Sequence, residues 1–291
     1  MSRHLSAGVD GSAESLHAAE WAAEEALLRG VHLRLVLADQ WPVSAATPVV
    51  GVGQHQWDEE LLTDAASHLR KRHPGLEIAT LRLSGRPASA LATEAAEAEL
   101  LVLGSRGLGR IKGFLVGSVG LATIGATERP VVLVRGTGQP DDARPIPRIG
   151  PHRDVVVGVD VHHPCDALLA FAFDEAARRD CTLRAVYGWS LPPVVRDASA
   201  LAAAEREMSP DVARRLGDMM LPWRRKFPSV EVVEASPIGV PALQLVQAAA
   251  DADLVVIGRR IRRSHLGTHI GSVAHAVLHH CPSPVAVIAH D

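Results

Sequence analysis

The sequence predicts an α/β fold built as two tandem, doubly wound, Rossmann-like domains, each with a parallel sheet. Three observations carry that expectation. The chain repeats itself: Gly8-Val9-Asp10 recurs as Gly158-Val159-Asp160, an offset of 150, and residues 85–131 match 239–285 without a gap at 18 of 47 positions, an offset of 154. A repeat this long is a duplicated domain and not a solenoid unit. Short apolar runs alternate with stretches of helical period, the pattern of parallel strands joined by crossover helices. Hydrophobic residues make up 47% of the chain and aromatic residues only 3%, so Ala, Val and Leu must build the cores. The 291 residues suffice for two domains of ordinary size.

Taken in order, Leu5–Val9 reads as the first strand. Ser12 is placed to cap a helix reaching Arg29, and Gly30 follows where a left-handed residue is favoured. Leu16, Ala19, Ala23, Ala26 and Leu27 give this helix an apolar stripe. His32–Ala38 is the second strand. A loop with Pro42 and Pro48 leads into a helix over Trp57–Arg72, and Leu76–Leu83 alternates as a third strand. Pro87 suits the first turn of a helix ending near Ala98. Leu100–Leu103 is an unbroken apolar run, as a strand buried on both faces requires. Residues 105–116 form a polar, glycine-rich loop, 117–127 a helix, and Val131–Val134 the last strand. The second half repeats this order and closes on Val285–Ala289. The stretch from Gly136-Thr137-Gly138 to Pro147 combines glycine, proline and charge, and reads as a linker over 137–151 between domains at 1–136 and 152–291.

Composition narrows the functional classes. A net charge of −3 does not suit a general nucleic-acid binder. No apolar run approaches the roughly 20 residues of a membrane-spanning helix. The start, Met1-Ser2-Arg3-His4, leads straight into a strand without the apolar core of a signal peptide. Cys165, Cys181 and Cys281 are odd in number and make no disulfide framework, which fits a cytoplasmic setting.

In doubly wound sheets ligands bind beyond the carboxyl ends of the strands, where the winding reverses. Asp10 and Gly104, at the ends of the first and fourth strands, are therefore expected neighbours. After the fourth strand the chain reads Gly104-Ser105-Arg106-Gly107, nine residues, then Gly117-Ser118-Val119. Gly104 and Gly107 let the backbone lie close to a ligand. Gly117 opens a helix whose free N–H groups favour phosphate, and the Ser118 hydroxyl adds a donor. Arg106, Arg110 and Lys112 can neutralise phosphate charge, and Asp10 can accept from ribose hydroxyls. No Gly-Lys-Ser/Thr occurs, so this is not a P-loop.

Gly-x2-Gly-x9-Gly-Ser after the fourth strand, Gly8-Val9-Asp10-Gly11-Ser12 at the end of the first, and the closing Pro130-Val131-x-x-Val134 resemble the universal stress protein family in its ATP-binding branch. The tandem form is similar to those of actinobacteria, and the resemblance covers both halves. It implies the universal stress protein fold with five-stranded sheets, bound ATP with or without magnesium, a cytoplasmic location, and homodimers paired through the last strands. By that resemblance Gly8, Asp10, Leu103, Gly104, Ser105, Arg106, Gly107, Leu108, Gly109, Arg110, Gly117, Ser118 and Val119 line the site, with Ala38 near adenine.

The second half departs from the pattern. Gly158, Asp160, Gly258, Gly271, Ser272 and Val273 are retained, but Ile261 stands where the first half has Gly107. A β-branched residue there resists a positive φ. Arg259, Arg260, Arg262 and Arg263 add positive charge, and Val161-His162 replaces Gly11-Ser12. This half either binds nucleotide or is a structural copy. The paired histidines (His162-His163, His265 with His269, His275 with His279, His279-His280) sit at no recognisable zinc spacing. Trp21 and Trp57 read as packing anchors, and Cys165 as an unreactive thiol at a helix entry. The basic stretch from Arg214 to Lys226 reads as a solvated helix face.

The resulting expectation is an ATP-binding regulatory protein acting on a protein partner of unknown identity, with slow ATP hydrolysis as the most catalysis foreseen. No catalytic residue and no metal site is assigned. Two alternatives remain open: a ligand-free assembly module dimerising through its terminal strands, and an enzyme using an adenylated intermediate. The terminal strands can be satisfied by each other or by a second chain.

Overall fold

The computed structural model describes residues 3–38, 51–105, 117–136, 153–191, 198–261 and 270–291. The chain divides into two units, Met1–Pro147 and Arg148–Asp291. The linker expected over 137–151 lies outside the described residues.

In the first unit β1 (His4–Gly8), α1 (Ala13–Arg29), β2 (His32–Ala38), α2 (Gly51–Arg72), β3 (Ile78–Leu83), α3 (Pro87–Glu97), β4 (Leu100–Ser105), α4 (Ser118–Ala126) and β5 (Val131–Arg135) follow in turn. The strands lie in the order β3-β2-β1-β4-β5, every pair parallel. The second unit runs β6 (Val155–Gly158), α5 (Asp166–Arg179), β7 (Leu183–Val186), α6 (Ala198–Lys226), β8 (Val232–Ala235), α7 (Pro241–Ala248), β9 (Leu254–Arg260), α8 (Ser272–His280) and β10 (Val285–His290). Its order, β8-β7-β6-β9-β10, is again parallel throughout. In both units the order reverses between the first and fourth strands, and a crevice opens beyond their carboxyl ends.

The inner strand β4 is buried on both faces, which is why its apolar run is unbroken: Leu100, Leu101 and Val102 are fully enclosed, whereas the edge strand β3 is largely exposed. α1 starts where expected, with the Ser12 hydroxyl accepting from the Ser15 N–H, and it stops at Gly30, whose φ is +63°. Its buried face differs from the expected stripe. Ala18, Ala19, Ala22, Ala23 and Ala26 face the sheet, while Leu16 and Leu27 are 45% and 48% exposed. The two leucines lie roughly 90° around the helix from the centre of the alanine face. Close approach selects small side chains here, because a Cβ on Gly104 of β4 would lie 2.7 Å from the Glu14 backbone.

α2 begins at Gly51, six residues ahead of Trp57, through a Gly-Val-Gly sequence of poor helix formers that hid it. β3 starts at Ile78, two residues after Leu76. Trp21 is buried, but Trp57 is 51% exposed and is no core anchor.

Buried charge is handled in repeated and in exchanged ways. Arg29 Nε donates to Glu25 Oε1 at 2.6 Å, and the pair recurs 150 residues later as Arg179 with Glu175, enclosed on all sides. Glu94 of α3 instead accepts from Ser6 Oγ at 2.6 Å and from Arg34 Nη1 at 3.0 Å, with His4 Nε2 at 3.3 Å. The second unit has Ala248 at the position of Glu94, and there Arg184 pairs with Asp154 from the start of β6 and donates to the Ala248 carbonyl. The carboxylate has moved from helix to strand while the arginine has kept its place.

Candidate functional site

The turn from β1 into α1 is held by its own polar residues. Asp10 Oδ1 accepts from the Ser12 N–H at 3.0 Å and from Ser12 Oγ at 2.5 Å. Ser15 Oγ accepts from the Asp10 N–H at 3.2 Å and donates to the Ser12 carbonyl at 2.9 Å. Gly11 supplies the φ of +82° that lets this turn close. Across the reversal point, Gly104 stands one residue before the end of β4 and α4 begins after Gly117, a cap with no side chain, so the first-turn N–H groups of α4 open into the crevice.

Together these elements form a cleft of about 410 Å³. Gly8, Asp10, Ala38, Leu103, Gly104, Gly117, Ser118 and Val119 all line it. Ser105 does not: its side chain is buried and donates to the Val134 carbonyl at 3.4 Å. Arg106, Gly107, Leu108, Gly109, Arg110 and Lys112 lie outside the described residues. Sequence reasoning missed one wall. Val9, Val36, Pro87 and Leu91 join Ala38 and Leu103 in an apolar surface opposite the α4 terminus. Their signal was positional, since Val36 and Leu91 point from the strand and helix that flank β1. Asp10 is the one titratable side chain among the described lining residues.

The second unit has a cleft at the same place, of about 700 Å³. Gly158, Asp160, Gly258, Arg260, Gly271, Ser272 and Val273 line it. Arg259 is buried, as is Ser105, which stands 154 residues before it. Ile261 lies at the end of β9, its N–H donating to the His290 carbonyl at 2.6 Å. Arg262, Arg263, His265 and His269 lie outside the described residues.

The larger size has a local cause. α5 begins at Asp166, three residues later in the repeat than α1, because Pro164 keeps His163 out of helical geometry. The missing first turn leaves His162, His163 and Cys165 on the cleft wall. Asp160 Oδ1 accepts from the His162 N–H at 2.9 Å, and Oδ2 lies 2.9 Å from His163 Nδ1. Burial pushes the Asp160 carboxyl up, but the bonds from His163 and the His162 N–H outweigh it and hold the group below the usual carboxylate value. The Tyr187 phenol, also on the wall, is raised by burial and by the charge of Asp160, against a smaller opposing effect of Arg215. His290 stands where the first unit has Gly136, and a Cβ on Gly258 would lie 2.9 Å from its Nε2.

Cys165 caps α5, its sulfur accepting from the Leu168 N–H at 3.4 Å. The His275 and His279 rings lie 4.3 Å apart. Among the described residues no group of three or more His, Cys, Asp or Glu side chains is placed to hold a metal. The basic stretch of α6 is partly neutralised, with Arg215 on Asp211 at 2.9 Å and Arg224 on Glu234 at 2.7 Å. No helix of the described residues is long and apolar enough to cross a membrane.

Comparison with known proteins agrees with this architecture. A universal stress protein of Mycobacterium tuberculosis is 34% identical over 291 aligned positions, 96% of this chain and 95% of its own. A second from the same organism is 32% identical over 293 positions, covering 96% and 94%. The crystal structure of a universal stress protein from Archaeoglobus fulgidus covers the whole of both chains with a TM-score of 0.70 at 18% identity, a likeness of fold. The sequence pattern of the universal stress protein family matches residues 1–135 and 151–289. With both halves matched and relatives similar over nearly their full length, the chain belongs to the universal stress protein family.

Proposed function

We propose that this protein is an ATP-binding regulator whose first-unit cleft holds the nucleotide. The observation that carries the reading is the pairing, in one cleft, of an uncapped helix N-terminus with an apolar wall. The N–H groups of Ser118, Val119 and Gly120 face the space in which a phosphate chain would lie. Val36, Ala38, Pro87 and Leu91 offer a slot for a base, and Asp10 stands at the reversal point to accept from ribose hydroxyls. The cleft volume of about 410 Å³ suits a mononucleotide. The loop bearing Arg106 and Arg110 would add charge to the phosphate end. A single carboxylate among the described lining residues favours holding the ligand over transforming it. A regulatory protein partner, a homodimer and a cytoplasmic setting belong to the same proposal, and a monomeric mass in solution removes the homodimer.

Equilibrium titration of the full chain with ATP tests the reading, beside Gly117→Val. A Cβ at Gly117 meets nothing within 4 Å, so the valine is accommodated by the fold while projecting over the helix terminus. The expected result is saturable ATP binding with one site per chain lost in the variant. Binding unchanged by Gly117→Val overturns the placement, and no binding to the parent chain overturns the function.

A further inference from the structure

The cleft of the second unit does not end where that of the first does. In the first unit α2 closes the crevice beside Gly11: a Cβ there would lie 2.8 Å from Leu61 and 3.6 Å from the Trp57 ring. At the 154-residue offset these two positions are Arg215 and Asp211, an exposed ion pair in place of an apolar cover. Pro164 removes the helical turn that would face them. The result is a groove of about 780 Å³ between the 161–166 segment and α6. Leu169 and Met219 line both the groove and the cleft, so the two spaces adjoin.

The groove has the chemistry of a second nucleoside site. Leu169, Met219, Pro222 and Trp223 give it an apolar floor. Trp223 is braced from within by the Phe173 ring at 5.8 Å, and Lys226 Nζ lies 5.0 Å from its centroid. Carboxylates of Asp166 and Asp218 on the rim can accept from sugar hydroxyls, and Arg215 and Lys226 supply positive charge. An acyl chain would match the floor but gives no partner to the charged rim, where Arg215 already pairs with Asp211 and Lys226 lies over Trp223.

Resting on the nucleotide reading of the clefts, we propose that the second unit binds a dinucleotide, two nucleosides bridged by phosphates. One nucleoside lies at the sheet end beside Asp160, the other in the groove against α6, and the first unit keeps a mononucleotide. The probes are ATP and diadenosine triphosphate, titrated into the full chain and into Gly117→Val, which closes the first cleft. The second cleft is expected to bind the dinucleotide about tenfold or more tightly than ATP, since it gains a stacked base and two charge-assisted contacts. Arg215→Gln with Lys226→Gln, both on the groove and absent from the cleft wall, removes the share of that advantage owed to the two charges and leaves ATP affinity within about threefold. Equal affinities for the two probes, or a double variant that weakens both alike, overturn the proposal. Should Gly117→Val fail to fold, competition in the parent chain decides: the dinucleotide must displace ATP from one of two sites in preference. ATP held in the second cleft without a dinucleotide advantage defeats only this extension, whereas ATP bound in neither unit defeats the nucleotide reading itself.

Discussion

The two motif glycines near the ends of β4 and β9, Gly104 and Gly258, should respond very differently to the same substitution. In Gly104→Ala the new methyl would lie 2.7 Å from the carbonyl carbon and oxygen of Glu14 and from the Ser15 nitrogen. All three are backbone atoms in the first turn of α1, so nothing can rotate aside. Ordinary contact requires α1 to retreat about 0.7 Å, from 2.7 to 3.4 Å. Overpacking of this kind costs about 1–3 kcal/mol. At roughly 3 °C per kcal/mol for a domain of this size, the first unit's midpoint falls by about 3–9 °C. In Gly258→Ala the methyl meets the His290 ring, with Nε2 at 2.9 Å and Cδ2 at 3.1 Å. That ring is the far end of a flexible side chain, and it can swing away at a cost under about 1 kcal/mol. Differential scanning calorimetry with hydrogen exchange of α1 and α5 separates the two units. The reasoning fails if both substitutions cost the same, or if Gly104→Ala leaves α1 protection intact.

Three further outcomes are expected from the geometry. Glu94→Ala removes the buried carboxylate that Ser6 and the partly exposed Arg34 share, and urea unfolding should show a loss of about 2 kcal/mol, with an unchanged curve refuting the network's role. Burial raises the Cys181 thiol to about 11, so it stays protonated up to high pH. Iodoacetamide at pH 8 should label it about a hundredfold more slowly than an unhindered thiol, and a rate equal to the free thiol would contradict the burial. Pro164→Glu restores the residue type found at Glu14 and should extend α5 by about one turn, seen as new amide protection over 166–168, whose N–H groups gain acceptors in the added turn; unchanged protection there would mean that proline is not the cause of the shorter helix.

Most of the fold was legible because its signals are local. Unbroken apolar runs such as Leu100–Leu103, and caps such as Ser12 and Gly30, depend on few neighbours, and the internal repeat fixed the order of elements twice. What escaped depends on distance. The leucines of α1 were expected inside because periodicity ranks residues by hydrophobicity, whereas the close approach of β4 selects alanine. The early start of α2 was hidden because Gly51 and Gly53 oppose helix formation and are carried by the long helical stretch from Trp57 onward.

The cleft divided in the same way. Gly8, Asp10, Gly104, Gly117 and Ser118 carry a spacing that places them together, and they line one space. Val36, Pro87 and Leu91 look like ordinary core or helix-entry residues until the sheet order brings them beside Ala38. In the second unit the decisive residue is Pro164. Its effect on His163 is a standard one, but only the alignment of Cys165 with Ser15 at the 150-residue offset reveals that a helical turn has been lost. Ser105 and Arg259 show the opposite case: they occupy a motif position, yet strand alternation turns both side chains inward.

The measurement that tests the central claim most directly is a count of nucleotide per chain, by absorbance and mass spectrometry of acid-released ligand after saturation with ATP and desalting. The account predicts at least one nucleotide per chain, with one lost in Gly117→Val while the fold is retained. A chain that retains none and takes up none on addition of ATP would contradict it, and would leave the crevice at Asp10 and Gly104 without the ligand that its helix terminus and apolar wall were argued to hold.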